Sequence, residues 1–190
     1  LSFSSPFILD IEIYMANAPR SAKREPVRFI EYDEIESHHG YSQIEQSDFV
    51  WIGEHRTETY QGLDSVVSFA RKIYSSGGDD KGIVILNMRA ADVRQLLLEE
   101  GVESNRMLID SGGRLITRTG KDEEDAGRIA EYMAKEWLSD PLKLANGYRL
   151  IPSDSLIVWT KVKGSNSNWL LVEQTPWHQL VEGSSRMARL

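Results

Sequence analysis

Residues 82–88 read Gly-Ile-Val-Ile-Leu-Asn-Met, and the unbroken aliphatic run Ile83, Val84, Ile85, Leu86 constrains the fold more than any other stretch. Such a run predicts a strand buried on both faces, which occurs where a sheet is covered on both sides. In the segment that follows, Val93, Leu96 and Leu97 fall at helical spacing. Gly101 sits where a helix would end, with Val102 able to touch Leu97 or Leu98 across the cap. Together with the apolar 107–109, these segments predict a strand-helix-strand unit, its crossover right-handed if the two strands are parallel.

The remaining elements are placed around this axis. Leu9, Ile11 and Ile13 alternate with Asp10, Glu12 and Tyr14, which suits an edge strand. Residues 15–26, with Pro19, Pro26 and no apolar period, read as a linker. Strands are expected at 27–32 and at 49–52, the second stopped by Gly53, with the polar 33–48 mostly loop plus a short helical turn. Asp64 is placed to cap a helix whose stripe is Val66, Val67, Ala70, Ile73 and Tyr74, ended by the turn residues 75–80. Residues 109–117 predict a hairpin, because Gly112 and Gly113 accept the positive φ of its turn. The best helical pattern is 122–138: Ala126, Ile129, Ala130, Met133 and Trp137 form one stripe, behind a first turn rich in acid. Strands follow at 148–151, 156–162 and 169–172, the last two joined by the loop 164–168. A short helix runs from Pro176 to Val181, capped by Thr175.

No internal repeat is visible. The expected fold is mixed α/β of the α+β class: one central mixed sheet with helices on its faces, in the order β-β-α-β-α-β-β-α-β-β-β-α. The expected organisation is an N-terminal extension over 1–26, one domain over 27–182 and a frayed tail over 183–190. The first 14 residues lack the basic start of a signal peptide. The chain is expected to be a fragment, or to carry upstream sequence ahead of a native start at Met15.

Composition narrows the function. The net charge of −7 argues against a nucleic-acid partner, since phosphate binding draws on Lys and Arg. Most of that charge lies in 27–61, where eight acidic side chains stand against Arg28 and Arg56, a net −6. This predicts a solvated acidic face. There is no cysteine, so thiolate ligands, cysteine nucleophiles and disulfides are excluded. Lack of cysteine fits a reducing compartment, and the expectation is a cytoplasmic protein. No run approaches the ~20 apolar residues of a membrane span.

Candidate chemistry is sparse. The glycines of 76–82 precede a strand, whereas a phosphate loop needs them before a helix N-terminus. Asn87 and Arg89, at the carboxyl end of the aliphatic strand, are better placed for an anion, with Asn87 capping the next helix as the simpler reading. Asp110 follows the 107–109 strand, where it could act as a base, although beside Gly112 it suits turn stabilisation. His38 and His39 lie near Asp33, Glu36 and Asp48 in sequence, but match no standard metal spacing. Asp154 with Lys161 and Lys163 lacks the acid of a restriction-type nuclease motif, and no G-x-S-x-G elbow is present. Trp159, Trp169 and Trp177 crowd the C-terminal third, as core residues or as an interface.

The sequence therefore predicts a non-enzymatic binding or regulatory module acting through protein–protein contacts or self-association, without metal or cofactor. The alternative is a small hydrolase of a phosphorylated or anionic substrate, using Arg89 and Asp110, with His38 or His39 and a metal in support.

Overall fold

The computed structural model describes residues 7–22, 24–74, 81–98, 105–110, 112–120, 123–139, 146–151, 155–162, 169–179 and 181. Its axis is the strand Lys81–Arg89, built on the aliphatic run. Along it Ile83, Ile85 and Asn87 are buried, whereas Val84 and Leu86 are only half-buried. The expected burial on both faces is thus corrected to alternation, with one face closed and the other partly covered.

The chain divides into two compact units, residues 1–96 and 97–190. The first contains β1 (Ile8–Met15), β2 (Val27–Glu31), a 3-10 helix (Tyr32–Ser37), α1 (Tyr41–Glu45), β3 (Phe49–Thr59), β4 (Gly62–Tyr74), β5 (Lys81–Arg89) and α2 (Ala90–Gln95). Its sheet runs β2-β1-β5-β4-β3, with β1 and β2 parallel and the other neighbours antiparallel. The second contains β6 (Asn105–Ile109), β7 (Leu115–Arg118), α3 (Glu123–Ser139), β8 (Asn146–Ile151), β9 (Ser155–Lys161) and β10 (Leu170–Pro176). Its sheet runs β7-β6-β10-β9-β8 and is antiparallel throughout.

Counted within its own unit, each sheet has the order 2-1-5-4-3, with helical structure between the second and third strands. No sequence repeat announces this, but the strand order repeats, with the first two strands parallel in one unit and antiparallel in the other. The α+β class is as expected, although there are two five-stranded sheets rather than one.

Three element assignments are corrected with it. The helix expected from Asp64 is the strand β4, paired with β3 on one side and β5 on the other. Apolar residues at 66, 67, 70 and 73 satisfy both periods, and the β-branched Val66, Val67 and Ile73 favour the strand. A tight turn at 60–61, with Gly62 at φ +113°, joins β4 to a β3 that runs on past Gly53. β1 lies inside its sheet between β2 and β5, not at an edge. Finally, β5 and β6 belong to different sheets, so no parallel strand-helix-strand unit joins them.

The helical turns within 33–48, the 109–117 hairpin, the 122–138 helix and three C-terminal strands form as expected, but the last strand runs on to Pro176, so Thr175 and Pro176 pair with β9 instead of capping and opening the 176–181 helix. The turn at 75–80, the Gly101 cap with Val102, the Trp137 side chain, the 164–168 loop, Asp154, Lys163 and the tail from 183 lie outside the described residues.

Each unit has its own core. In the second, α3 sets Ala126, Ile129, Ala130 and Met133 against Met107, Ile109, Ile157, Leu170 and Val172 of the sheet. In the first, Ile35 of the 3-10 helix and Ile44 of α1 pack on Tyr14, Val50, Ile52, Ala70, Ile83 and Ile85. Each fully buried aliphatic side chain contributes about 1.5–3 kcal/mol. The short helical pieces of the first unit close only the apolar end of its inner face, and the other end is polar.

Candidate functional site

Side chains two residues apart on a strand share a face. Asp10, Glu12 and Tyr14 of β1 therefore point together, and the register sets Asp10 opposite Asn87, Asn87 opposite Ser68 and Glu12 opposite Arg28. All of them lie on the inner face. Asp10, Ser68 and Asn87 are completely buried and Glu12 is 3% exposed. Arg28 Nη2 donates to Asp10 Oδ2 (3.2 Å), Glu12 Oε1 (2.5 Å) and the carbonyl oxygen of Glu58 (2.8 Å). Asn87 Nδ2 donates to Asp10 Oδ1 (2.7 Å) and Glu12 Oε1 (3.4 Å), while its oxygen accepts from Ser68 Oγ (2.5 Å). Tyr14 Oη donates to Glu12 Oε2 (2.8 Å), and the amide of Tyr60 donates to Asp10 Oδ2 (3.3 Å).

Two histidines join this cluster from other elements. In β3 the pairing slips by one residue between Ile52 and His55. Such a bulge changes which side chain points inward. Strict alternation after Ile52 would bury Glu54; the bulge buries His55 instead and leaves Glu54 outside, paired with Arg94 at 2.8 Å. His38 caps the 3-10 helix that Ile35 anchors, and only 5% of its side chain is exposed. Its Nε2 lies 3.9 Å from Glu12 Oε2. The His38 and His55 rings are 6.0 Å apart edge to face, and the exposed His39 stacks on His55 at 4.9 Å.

Burial dominates the protonation of these groups. Desolvation raises the carboxyl pKa of both Asp10 and Glu12, against the opposing pull of Asn87 and Arg28. It lowers His55, and takes His38 down to about 4 with help from His55 and His39. Glu12 at 3.9 Å would favour an imidazolium, but no hydrogen bond forms at that distance, so desolvation prevails and the ring is neutral at pH 7. Three polar atoms of this group are buried without a hydrogen-bond partner among the described residues: Arg28 Nε, His38 Nε2 and His55 Nε2. Native interiors rarely leave such groups unpaired, and each exception calls for a cause.

The second unit supplies an internal comparison. With the same strand order, its inner face is apolar under α3 and has a smaller buried polar end, where Gln174 Nε2 donates to Ser155 Oγ at 3.3 Å. Its described unpaired buried atoms, Thr117 Oγ1 and Trp159 Nε1, lie on strands separated by two others. A concavity in the first unit, of about 390 Å³, is lined by Ile13, Tyr14, Asn17, Ile73 and Gly82 among others. Tyr14 therefore borders this mostly apolar cleft and bonds Glu12.

No family model and no curated protein matches the chain. Solved structures do. The extracellular domain of a protein described as a histidine kinase, rpHK1S-Z16, matches with a TM-score of 0.60 at 16% identity, over 94% of this chain and 74% of that one. The periplasmic sensory domain of the Campylobacter jejuni chemoreceptor Tlp1 matches with 0.52 at 15% identity, over 77% of this chain and 57% of that one. The ligand-binding domain of the Pseudomonas aeruginosa PAO1 amino acid chemoreceptor PctC, in complex with GABA, matches with 0.50 at 14% identity, over 88% and 73%. The fold is one that receptor sensory domains use. These similar structures are extracellular or periplasmic, which overturns the cytoplasmic expectation. That expectation rested on missing cysteine, a feature that oxidising compartments also permit. Among the described residues no helix is long and apolar enough to cross a membrane.

The residues singled out in the sequence are dispersed. Asn87 is a buried strand residue of the polar cluster, not a helix cap. Arg89, at the start of α2, contacts Gln61 Oε1 (3.0 Å), Asp64 (3.7 Å) and Asp92 (3.6 Å). Asp110 belongs to the second unit, where it accepts from the amides of Gly112 and Arg114 (2.9 Å each) and from Arg114 Nε (2.7 Å). Both its oxygens are thus engaged in the hairpin turn. His38 enters the cluster, while His39 touches it only through His55. No group of three or more His, Asp or Glu residues is arranged to hold a metal among the described residues. Trp159 and Trp169 are half-buried, and Trp177 is 41% exposed. Sequence reading missed Asp10, Glu12, Arg28, Ser68 and His55 as site residues. Their one signal was the alternation in β1, whose acidic face turns inward.

Proposed function

We propose that this chain is a non-enzymatic, ligand-binding sensory module of a receptor on the outer side of a membrane. Its ligand site is the polar half of the inner face of the first sheet. The observation that carries this reading is the set of three unpaired, buried polar atoms on Arg28, His38 and His55, within a fold that receptor sensory domains use. A buried polar network left incomplete costs stability, so its retention is understandable where a ligand completes it. Protein contacts would be those that pass the bound state onward, with the exposed Trp177 as a candidate contact.

The test is a thermal-shift screen of the full chain against amino acids, organic acids, amines and sugars, followed by histidine NMR. At least one compound is expected to raise Tm in a saturating manner, since binding to the native state adds stability. It should also move the His38 and His55 resonances. A screen in which nothing raises Tm would overturn the reading, as would a ligand whose effects fall only in residues 97–190.

A further inference from the structure

Asp10 and Glu12 are two carboxyls on one face of one strand, and among the described residues a single guanidinium balances them. Arg28 Nη2 and Asn87 Nδ2 each donate to both, which holds the two side chains close together. Asp10 is completely buried and Glu12 is 3% exposed. Glu12 is faced by Asp10 and Tyr14 on β1, Arg28 on β2, Asn87 on β5 and His38 beyond the 3-10 helix. His55 of β3 and His39 stand behind His38, and Glu34 is near enough to act on Tyr14. Burial keeps Tyr14 and the imidazoles of His38 and His55 neutral at pH 7. Two ionised carboxyls would therefore share one guanidinium in a dry interior, where like charges so close drive one of the pair to take a proton. The strand order does not demand this charge. In the second unit the matching strands set Asn105 opposite Gln174, as Asp10 stands opposite Asn87, and an uncharged amide serves there.

The hydrogen bonds locate the proton. Asp10 Oδ1 accepts from Asn87, and Oδ2 from Arg28 and the amide of Tyr60; Glu12 Oε1 accepts from Arg28 and Asn87. These nitrogens can only donate, so none of them can receive a proton from a carboxyl. Glu12 Oε2 differs, because its partner at 2.8 Å is the Tyr14 hydroxyl, which can turn to accept. Beside it, at 3.9 Å, lies His38 Nε2, buried and without a partner among the described residues. The amide of Gly40 donates to His38 Nδ1 at 3.0 Å, so Nε2 already bears the ring hydrogen and does not compete for the proton. We propose that Asp10 and Glu12 form a proton-binding site, the proton seated on Glu12 Oε2, whose release as pH rises is a pH-responsive element of the first unit. Burial pushes both carboxyls up, and the charge of Asp10 adds to the push on Glu12. The folded chain therefore holds this proton more tightly than the unfolded one. Its contribution to stability is complete below the ordinary glutamic value of 4.5 and is lost as pH rises through the folded midpoint. The site stands whether or not the module also takes a small molecule.

Carboxyl ¹³C spectra of the full chain, recorded from about pH 3 to about pH 9 to span the ordinary and raised carboxyl ranges, test the proposal. Glu12 Cδ is expected to titrate at least about one pH unit above the ordinary 4.5. Asp10 Cγ should register the same step as a smaller shift, as coupled sites do. Asp10→Asn, which places here the amide that the second unit carries as Asn105, should lower the Glu12 midpoint by about one unit or more. It should also flatten the fall of Tm as pH rises through that midpoint. The wild-type spectra decide the matter even if Asp10→Asn does not fold. A Glu12 midpoint in the ordinary range overturns the proposal, as does a raised midpoint that Asp10→Asn leaves in place. So does a proton that resides on Asp10 while Glu12 is ionised.

Discussion

His38 gives its Nδ1 lone pair to the Gly40 amide and turns its N–H toward a buried carboxyl, so a second ring proton gains no partner. Glu12, Tyr14, His39 and His55 all face it, and its folded pKa of about 4 lies below the ordinary 6.5. Between those values the unfolded chain binds more protons than the native one. Stability is therefore lost as pH falls from about 6.5 to about 4, by an amount on the order of 3 kcal/mol for a shift of this size. Asp10 and Glu12 act in the opposite sense. Their pKa values are raised on folding, so their contribution grows as pH falls toward the ordinary values of 3.8 and 4.5. His38→Gln should flatten the acid limb of the stability profile relative to wild type, measured by urea unfolding at successive pH values. Parallel profiles for the two proteins would show that His38 does not titrate in this way.

At the scale of elements, the site depends on how the 3-10 helix is seated. Ile35 is 2% exposed, and His38 caps the same helix. Ile35→Ala should cost about 2–5 kcal/mol of stability and weaken ligand binding as well. Met133→Ala, an equally buried truncation in α3, should lose similar stability with affinity unchanged. Comparing the two variants by urea unfolding and calorimetry separates support of the site from general packing. The same elements explain how much could be read beforehand. Where cores are apolar, as in β6, β7 and α3, periodicity predicted the elements, although β10 runs on through Thr175, the expected cap of a following helix. Where the site intrudes, it failed in a specific way. The alternation of β1 was visible, but nothing in it revealed that Asp10 and Glu12 face inward and Ile11 and Ile13 lie on the less covered side. Ser68, buried for the polar cluster, broke the apolar alternation of β4 and left a pattern that a helix fits equally well. The one-residue slip that buries His55 instead of Glu54 falls at Gly53, a glycine that reads as a strand stop as readily as a bulge.

For the whole molecule, the central fact is a strand order used twice with an apolar core in each unit. One core lies under α3, where Gln174 and Ser155 form a small buried polar pair. The other lies under short helical pieces, beside the larger cluster of Asp10, Glu12, Ser68 and Asn87. Hydrogen exchange at saturating ligand should therefore show its largest gain in protection within β1, β5 and residues 38–45, with the amides of β6 to β10 changing least. Equal gains across both units would mean that the site is not confined to the first. The repeated order also bears on how the protein tolerates change. A lone small core must meet the demands of recognition and of cohesion with the same residues, so each buried charge threatens the whole fold. Here the unit around α3 holds together without any of the site residues. Substitutions at Asp10, Arg28, His38 or His55 can alter what is recognised while leaving that second core intact. Ligand preference can drift fastest where the protein has least packing to lose.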